Sequence, residues 1–197
     1  ESPESPESPE SLESLESLES LESPESPESL ESRYSEFRFL GFVLPLTEID
    51  AVGLRQIFVE YGRNNTLLNR VLQLDFESVR GLMKGFIDMV FEYQNKFYIV
   101  DYKSNWLGSQ QIAYQLDNLQ NIMVQEHYIL QYHIYCVALH QYLKLRLPNY
   151  RYEQHFGGVF YLFVRGMRPE WGADYGVYYD RPESKFIAAL TRYLTGI

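Results

Sequence analysis

The chain has 197 residues and a formal net charge of −10, yet 11 of its 27 acidic residues fall in the first 32, where Lys and Arg are absent. Residues 33–197 therefore carry 16 acidic against 17 basic residues, together with all 31 aromatic side chains, and that length can bury roughly 70% of its unfolded surface. A single Cys excludes an internal disulfide or a Cys-based zinc site, and with neither a ~18-residue apolar run nor a basic-then-apolar start, the expectation is a soluble, cytoplasmic domain in a reducing compartment.

Residues 1–32 repeat Glu-Ser-Pro and Glu-Ser-Leu triplets and hold no aromatic residue. Such a composition buries too little apolar surface to offset its ordering entropy. Leu12, Leu15, Leu18 and Leu21 form a short apolar stripe, but the flanking prolines interrupt it. The segment reads as a linker, an added sequence or a placeholder, set apart from a domain spanning 33–197.

Within that domain, 37–46 (FRFLGFVLPL) reads as a strand ending at Pro45, and Thr47 with the acids after it opens a helix to about residue 61. Asn64 and Asn65 mark a loop. Residues 85–93 and 96–103 are rich in β-branched and aromatic side chains and are separated only by Gln94 and Asn95, which predicts a β-hairpin. Residues 110–147 lack Gly and carry apolar side chains at helical spacing, so they read as one or two helices. Residues 156–164 (FGGVFYLFV) are nearly all apolar, as in a strand covered on both faces. A short strand at 177–179 and a helix at 182–194 follow. The sum is an α/β domain with helices packed on a central mixed sheet.

Chemistry concentrates in the hairpin. Asp88 and Asp101 both interrupt apolar runs, where a carboxylate is costly to desolvate without a partner. Antiparallel pairing of the two strands brings these carboxylates toward one point. Converging oxygen ligands suit Mg²⁺, which keeps several waters and completes its shell with substrate phosphate. Lys103, two residues beyond Asp101, shares its strand face. A cation there orients an attacking water and offsets charge developing on a phosphodiester.

The pattern G-F-I-D at 85–88 followed by D-Y-K at 101–103 resembles the core of PD-(D/E)XK nucleases. More closely, GFIDMVFEYQNKFYIVDYKSNWLG, LQYHIYCVALHQYL and HFGGVFYLFVRG resemble the C-terminal nuclease domain of RecBCD-type helicase–nucleases, over about 33–197. The resemblance implies a restriction-endonuclease-like α/β core and Mg²⁺-dependent exodeoxyribonuclease activity, with Mn²⁺ able to substitute, in double-strand break repair and recombination. It makes Asp88, Asp101 and the backbone carbonyl of Tyr102 metal ligands, Lys103 the catalytic lysine, and Glu36 a further active-site carboxylate. Gln131 and Tyr135 match a Q-x-x-x-Y element that contacts DNA or supports the site. The implied partners are single-stranded DNA ends delivered by a helicase, and RecC- and RecD-like subunits. In these nucleases an upstream histidine also serves the metal site; here that stretch is absent or replaced by the Glu-Ser repeat, which has no His.

Other features are weaker. His127, His133, His140 and His155 show no zinc-type spacing and read as packing or surface residues. Tyr128, Tyr132 and Tyr135 suit either core packing or base stacking. Gly157 and Gly158 allow close backbone approach within the sheet. No phosphate-binding loop G-x-x-x-x-G-K-[ST] occurs, so this chain cannot itself power a helicase. Twelve Arg and five Lys form no basic stripe, so DNA is expected to be handed over rather than gripped. Cys136 alone cannot hold the iron–sulfur cluster of other nucleases of this class. The alternative from another class is a catalytically incomplete module that docks partners through exposed apolar patches on the helices after Trp106.

Overall fold

The computed structural model describes residues 38–62, 71 and 73–197, all within the unit Ser35–Ile197. The repeat at 1–32, Glu36, Phe37 and the Asn64–Asn65 loop lie outside the described residues.

One five-stranded sheet in the order β1-β2-β3-β4-β5 organises the domain. Its strands are β1 (Arg38–Ile49), β2 (Val79–Tyr93), β3 (Lys96–Lys103), β4 (Phe156–Phe163) and β5 (Val177–Asp180). Pairing is antiparallel except between β3 and β4, which run parallel, so the sheet is mixed as the sequence pattern predicts. The hairpin turns at Gln94 and Asn95, both at positive φ (50° and 60°), as a two-residue turn matched to strand twist requires.

β1 runs on to Ile49 rather than stopping at Pro45. It pairs only with β2 among the described strands, with Pro45 opposite Leu82, and an outer strand tolerates the missing N–H. The first helix, α1 (Ala51–Tyr61), starts later than Thr47 because Asp50 caps it, accepting from the Gly53 amide at 2.7 Å. Thr47 instead donates its hydroxyl to the Tyr193 carbonyl at 2.7 Å.

Residues 110–147 form a 3-10 turn (Gln111–Tyr114) and two helices, α2 (Leu116–Gln125) and α3 (Tyr128–Arg146). A single-turn helix α4 (Tyr152–His155), a 3-10 turn (Pro169–Trp171) and the closing helix α5 (Ser184–Thr195) complete the described elements. The sequence pattern missed α4 and both 3-10 turns, which are too short to show periodicity. α3 buries residues around most of its circumference, including Ile129, Cys136, Leu139 and Leu143, as a central helix does.

β4 is almost wholly buried, in keeping with an apolar run covered on both sides. Its glycines have the steric role expected of them. A Cβ on Gly157 would fall 2.3 Å from the Tyr98 ring, and Gly158 sits at φ +136° against Tyr179.

His133 on α3 is enclosed by the rings of Tyr132, Phe186 and Phe58, with centroids 4.4, 4.5 and 5.3 Å away. Its Nδ1 lies 2.7 Å from the Ile129 carbonyl. A carbonyl only accepts, so Nδ1 carries the proton and the neutral ring leaves Nε2 unprotonated. Burial pulls the imidazole from 6.5 down to about 4, opposed by the Ile129 carbonyl and the Asp180 carboxylate. A histidine that binds its proton more readily when unfolded stabilises the fold above pH 6.5, and that stability is lost as pH falls toward 4. The shift corresponds to on the order of 3 kcal/mol. His140, held to about 4 by burial and by Lys144 against Glu153, acts with the same sign. The melting temperature is expected to fall from pH 7 to pH 4.5, and His133→Gln should flatten part of that fall. A profile identical in parent and variant would contradict the assignment.

Candidate active site

The site forms where the sheet divides. β2 and β3 pair from Tyr93↔Lys96 up to Met89↔Val100, and no pair is formed beyond it. From there β2 continues with β1 alone, while Asp101, Tyr102 and Lys103 pair only with Tyr161, Leu162 and Phe163 of β4. Asp88 and Asp101 are the first residues past the last pair, one on each arm of the fork.

A bulge re-aims Asp88. β1 pairs Leu40 with Ile87 and Arg38 with Val90, so three positions of β2 span two of β1. Ile87 and Val90 are consequently both buried, which strict alternation forbids. Asp88 between them is exposed, contrary to the expectation from its apolar surroundings. Its Oδ2 accepts the Tyr102 N–H at 2.9 Å, taking the place of the interrupted ladder. Tyr102 itself is 48% exposed.

Asp101 is 3% exposed. Lys103 Nζ approaches its Oδ1 at 2.5 Å, and both side chains are largely enclosed. D-x-K here is thus a buried ion pair and not a solvated surface pair. The contact is an ion pair outside hydrogen-bond geometry, so Oδ1 is a buried oxygen with no hydrogen bond of its own. Burial pushes the Asp101 carboxyl up, Lys103 pulls it down, and the Asp88 carboxylate pushes it up further. The two carboxylates thus act on one another across the strand fork.

α3 crosses this end of the sheet and turns Tyr128, Gln131 and Tyr135 toward it, spaced three and four residues apart on one face. Gln131 Oε1 accepts from Lys103 Nζ at 3.1 Å and from the Tyr161 hydroxyl at 2.9 Å. Lys103 Nζ lies 4.0 Å from the centroid of the Tyr128 ring and 4.9 Å from that of Tyr161. The Tyr128 hydroxyl donates to Asn105 Oδ1 at 3.2 Å. Burial, then Asp101 and Asp88, push the Tyr135 phenol up to about 12, with a hydrogen bond to Gln131 opposing, so the hydroxyl keeps its proton near neutral pH.

The structure therefore gathers Asp88, Asp101, Lys103, Gln131 and Tyr135, with the Tyr102 amide, at one fork; Glu36 lies outside the described residues. Tyr132 faces elsewhere and donates to Asp180 Oδ2 at 2.6 Å. Tyr161 was absent from the residues singled out by sequence. Its position opposite Asp101 follows from the parallel β3–β4 register, which no local pattern reveals. Among the described residues no group of three or more His, Cys, Asp and Glu is gathered as a metal cage.

Comparison with known proteins finds relatives of one name. The chain is 45% identical over 124 residues to the RecBCD enzyme subunit RecB of Escherichia coli K12, covering 63% of this chain and 10% of that protein. It is 49% identical over 117 residues to the subunit of the same name from Haemophilus influenzae, covering 59% and 10%. A third, from Buchnera aphidicola subsp. Baizongia pistaciae, is 36% identical over 152 residues, covering 77% and 12%. The chain is similar to part of each of these RecB subunits. It spans about a tenth of the length of the RecB relatives it matches. No family model matches it. Among the described residues, no helix is long and apolar enough to cross a membrane.

Proposed function

We propose that the RecB-like chain is the Mg²⁺-dependent DNA nuclease domain of a RecBCD-type helicase–nuclease, hydrolysing phosphodiester bonds in strands fed to it by a motor and working with RecC- and RecD-like subunits. The observation that carries the reading is the buried Asp101–Lys103 pair beside Asp88 at the fork of the sheet. A buried, raised-pKa carboxylate with a specific charge partner is characteristic of functional sites.

The donor set fits the cation. Mg²⁺ is usually held by one or two carboxylates, its remaining positions going to water and substrate phosphate. Asp88 and Asp101 supply the two carboxylates, the carbonyl of Tyr102 is a further ligand in this reading, and Glu36 joins them on the resemblance alone. Bound there, the divalent ion supplies Lewis-acid character and a more acidic water. Lys103 holds a positive charge where the attacked phosphodiester gains negative charge. Gln131 keeps that ammonium in place through its carbonyl oxygen, and Tyr135 presents a protonated hydroxyl to the strand.

A second reading, a non-catalytic docking module, draws on the outward face of β1 and β2. Phe39, Val43, Leu82 and Phe86 are each more than half exposed there, and Phe39 stacks on Phe86 at 5.3 Å. Titration calorimetry with Mg²⁺ and with Mn²⁺ separates the two. The nuclease reading expects one site per chain that Asp101→Asn and Asp88→Asn each weaken by ~10-fold or more. No heat from the parent, or equal binding by all three proteins, would count against it.

A further inference from the structure

Lys103 has three ammonium protons on a flexible four-carbon stem, and nothing in an isolated strand fixes where they point. Here the head is boxed. Asp101 Oδ1 lies on one side and Gln131 Oε1 on another, at 2.5 and 3.1 Å. The faces of Tyr128 and Tyr161 close two more sides, at 4.0 and 4.9 Å from the ring centroids, as cation–π partners. Neither tyrosine belongs to the D-x-K or Q-x-x-x-Y pattern.

Tyr161 has a second function in the box. Its hydroxyl donates to the same Gln131 oxygen that Lys103 uses, at 2.9 Å. Two donors converging on Oε1 fix the amide with its carbonyl toward Lys103 and its NH₂ turned away. One buried hydroxyl on β4 thereby organises two groups on β3 and α3. Tyr161 is fully buried and its phenol is pushed up by burial first and then by Asp101, so it remains a donor near neutral pH. Tyr128 is tethered in turn by Asn105, two residues beyond the lysine.

We propose that Tyr161 and Tyr128 are positioning residues that hold the Lys103 ammonium and the Gln131 carbonyl in working orientation for strand cleavage. The inference rests on the nuclease reading for its consequence but not for its geometry, and the test separates the two. The full chain is prepared with ¹³C,¹⁵N-lysine, and the Lys103 signals are identified by their loss in Lys103→Arg. Methylene protons packed against two ring faces are expected to lie upfield of those of the other four lysines. Tyr128→Leu should return them toward the common position. Tyr161→Phe keeps the ring and fills the same space, so the spectrum should stay dispersed while the Lys103 signals and the Gln131 side-chain amide signals move.

In parallel, cleavage of single-stranded DNA is measured with Mg²⁺. Tyr161→Phe is expected to lower kcat by ~10-fold with KM little changed, because the strand-binding surface is intact. Shifted signals with an inert parent would uphold the positioning and overturn the nuclease reading. An active parent with Tyr161→Phe unchanged in both kcat and Lys103 signals would overturn the positioning and leave the nuclease reading standing.

Discussion

Lys103→Ala is expected to slow Mg²⁺-dependent cleavage of single-stranded DNA by at least ~100-fold, the scale seen when one preorganised electrostatic stabiliser is removed. The expectation follows from enclosure. Lys103 and Asp101 are 12% and 5% exposed at the side chain, so water cannot replace the missing charge cheaply. Lys103→Arg should recover little, because a planar guanidinium is larger than the head that Tyr128 and Gln131 enclose. Asp101→Asn should match Lys103→Ala in effect by removing the buried negative charge that faces Lys103 while keeping the side chain's shape. Initial rates with a labelled oligonucleotide check all three, beside melting curves that verify folding. Lys103→Ala or Asp101→Asn cutting at the parent rate would place the chemistry elsewhere.

Phe58→Ala is expected to cost about 3–5 kcal/mol of stability, the usual range for emptying an aromatic site in a core. Phe58 on α1 is 1% exposed and meets Phe186 of α5 and His133 of α3, at 4.9 and 5.3 Å between centroids. It thus joins three helices, and its loss leaves a cavity that no single neighbour can fill. For a domain of this size the cost is a fall on the order of 10 °C in melting temperature. Thermal unfolding followed by circular dichroism reads the change directly. At low temperature, where the variant is still folded, its cleavage rate should equal the parent's. A small thermal shift would mean that the three helices repack without the ring.

Much of this arrangement was legible in the chain itself, and the division has a physical basis. The hairpin was visible because β2 and β3 are long apolar runs interrupted by only two residues, and Asp101 and Lys103 followed because strand periodicity places i and i+2 on one face. Gln131 and Tyr135 stand out only through the Q-x-x-x-Y element of the resemblance, whose spacing puts them on one helical stripe. What stayed hidden depends on pairing between distant segments. Pro45 suggested an end to β1 only because its place on an outer strand could not be known. The exposed position of Asp88 comes from a bulge whose register is set by β1. Tyr161 reaches the lysine because β4 runs parallel to β3, with Asp101 opposite it. His133 and Cys136 carry no motif, and their enclosure reflects the central place of α3 rather than any local signal.

The most direct test of the central claim is cleavage of a single-stranded oligonucleotide by the 197-residue chain as Mg²⁺ is titrated, with Lys103→Ala run alongside. Cleavage is expected to rise with Mg²⁺, to stop on chelation and to fall by at least ~100-fold in the variant. Cleavage independent of Mg²⁺, or equal in parent and variant, would contradict that claim.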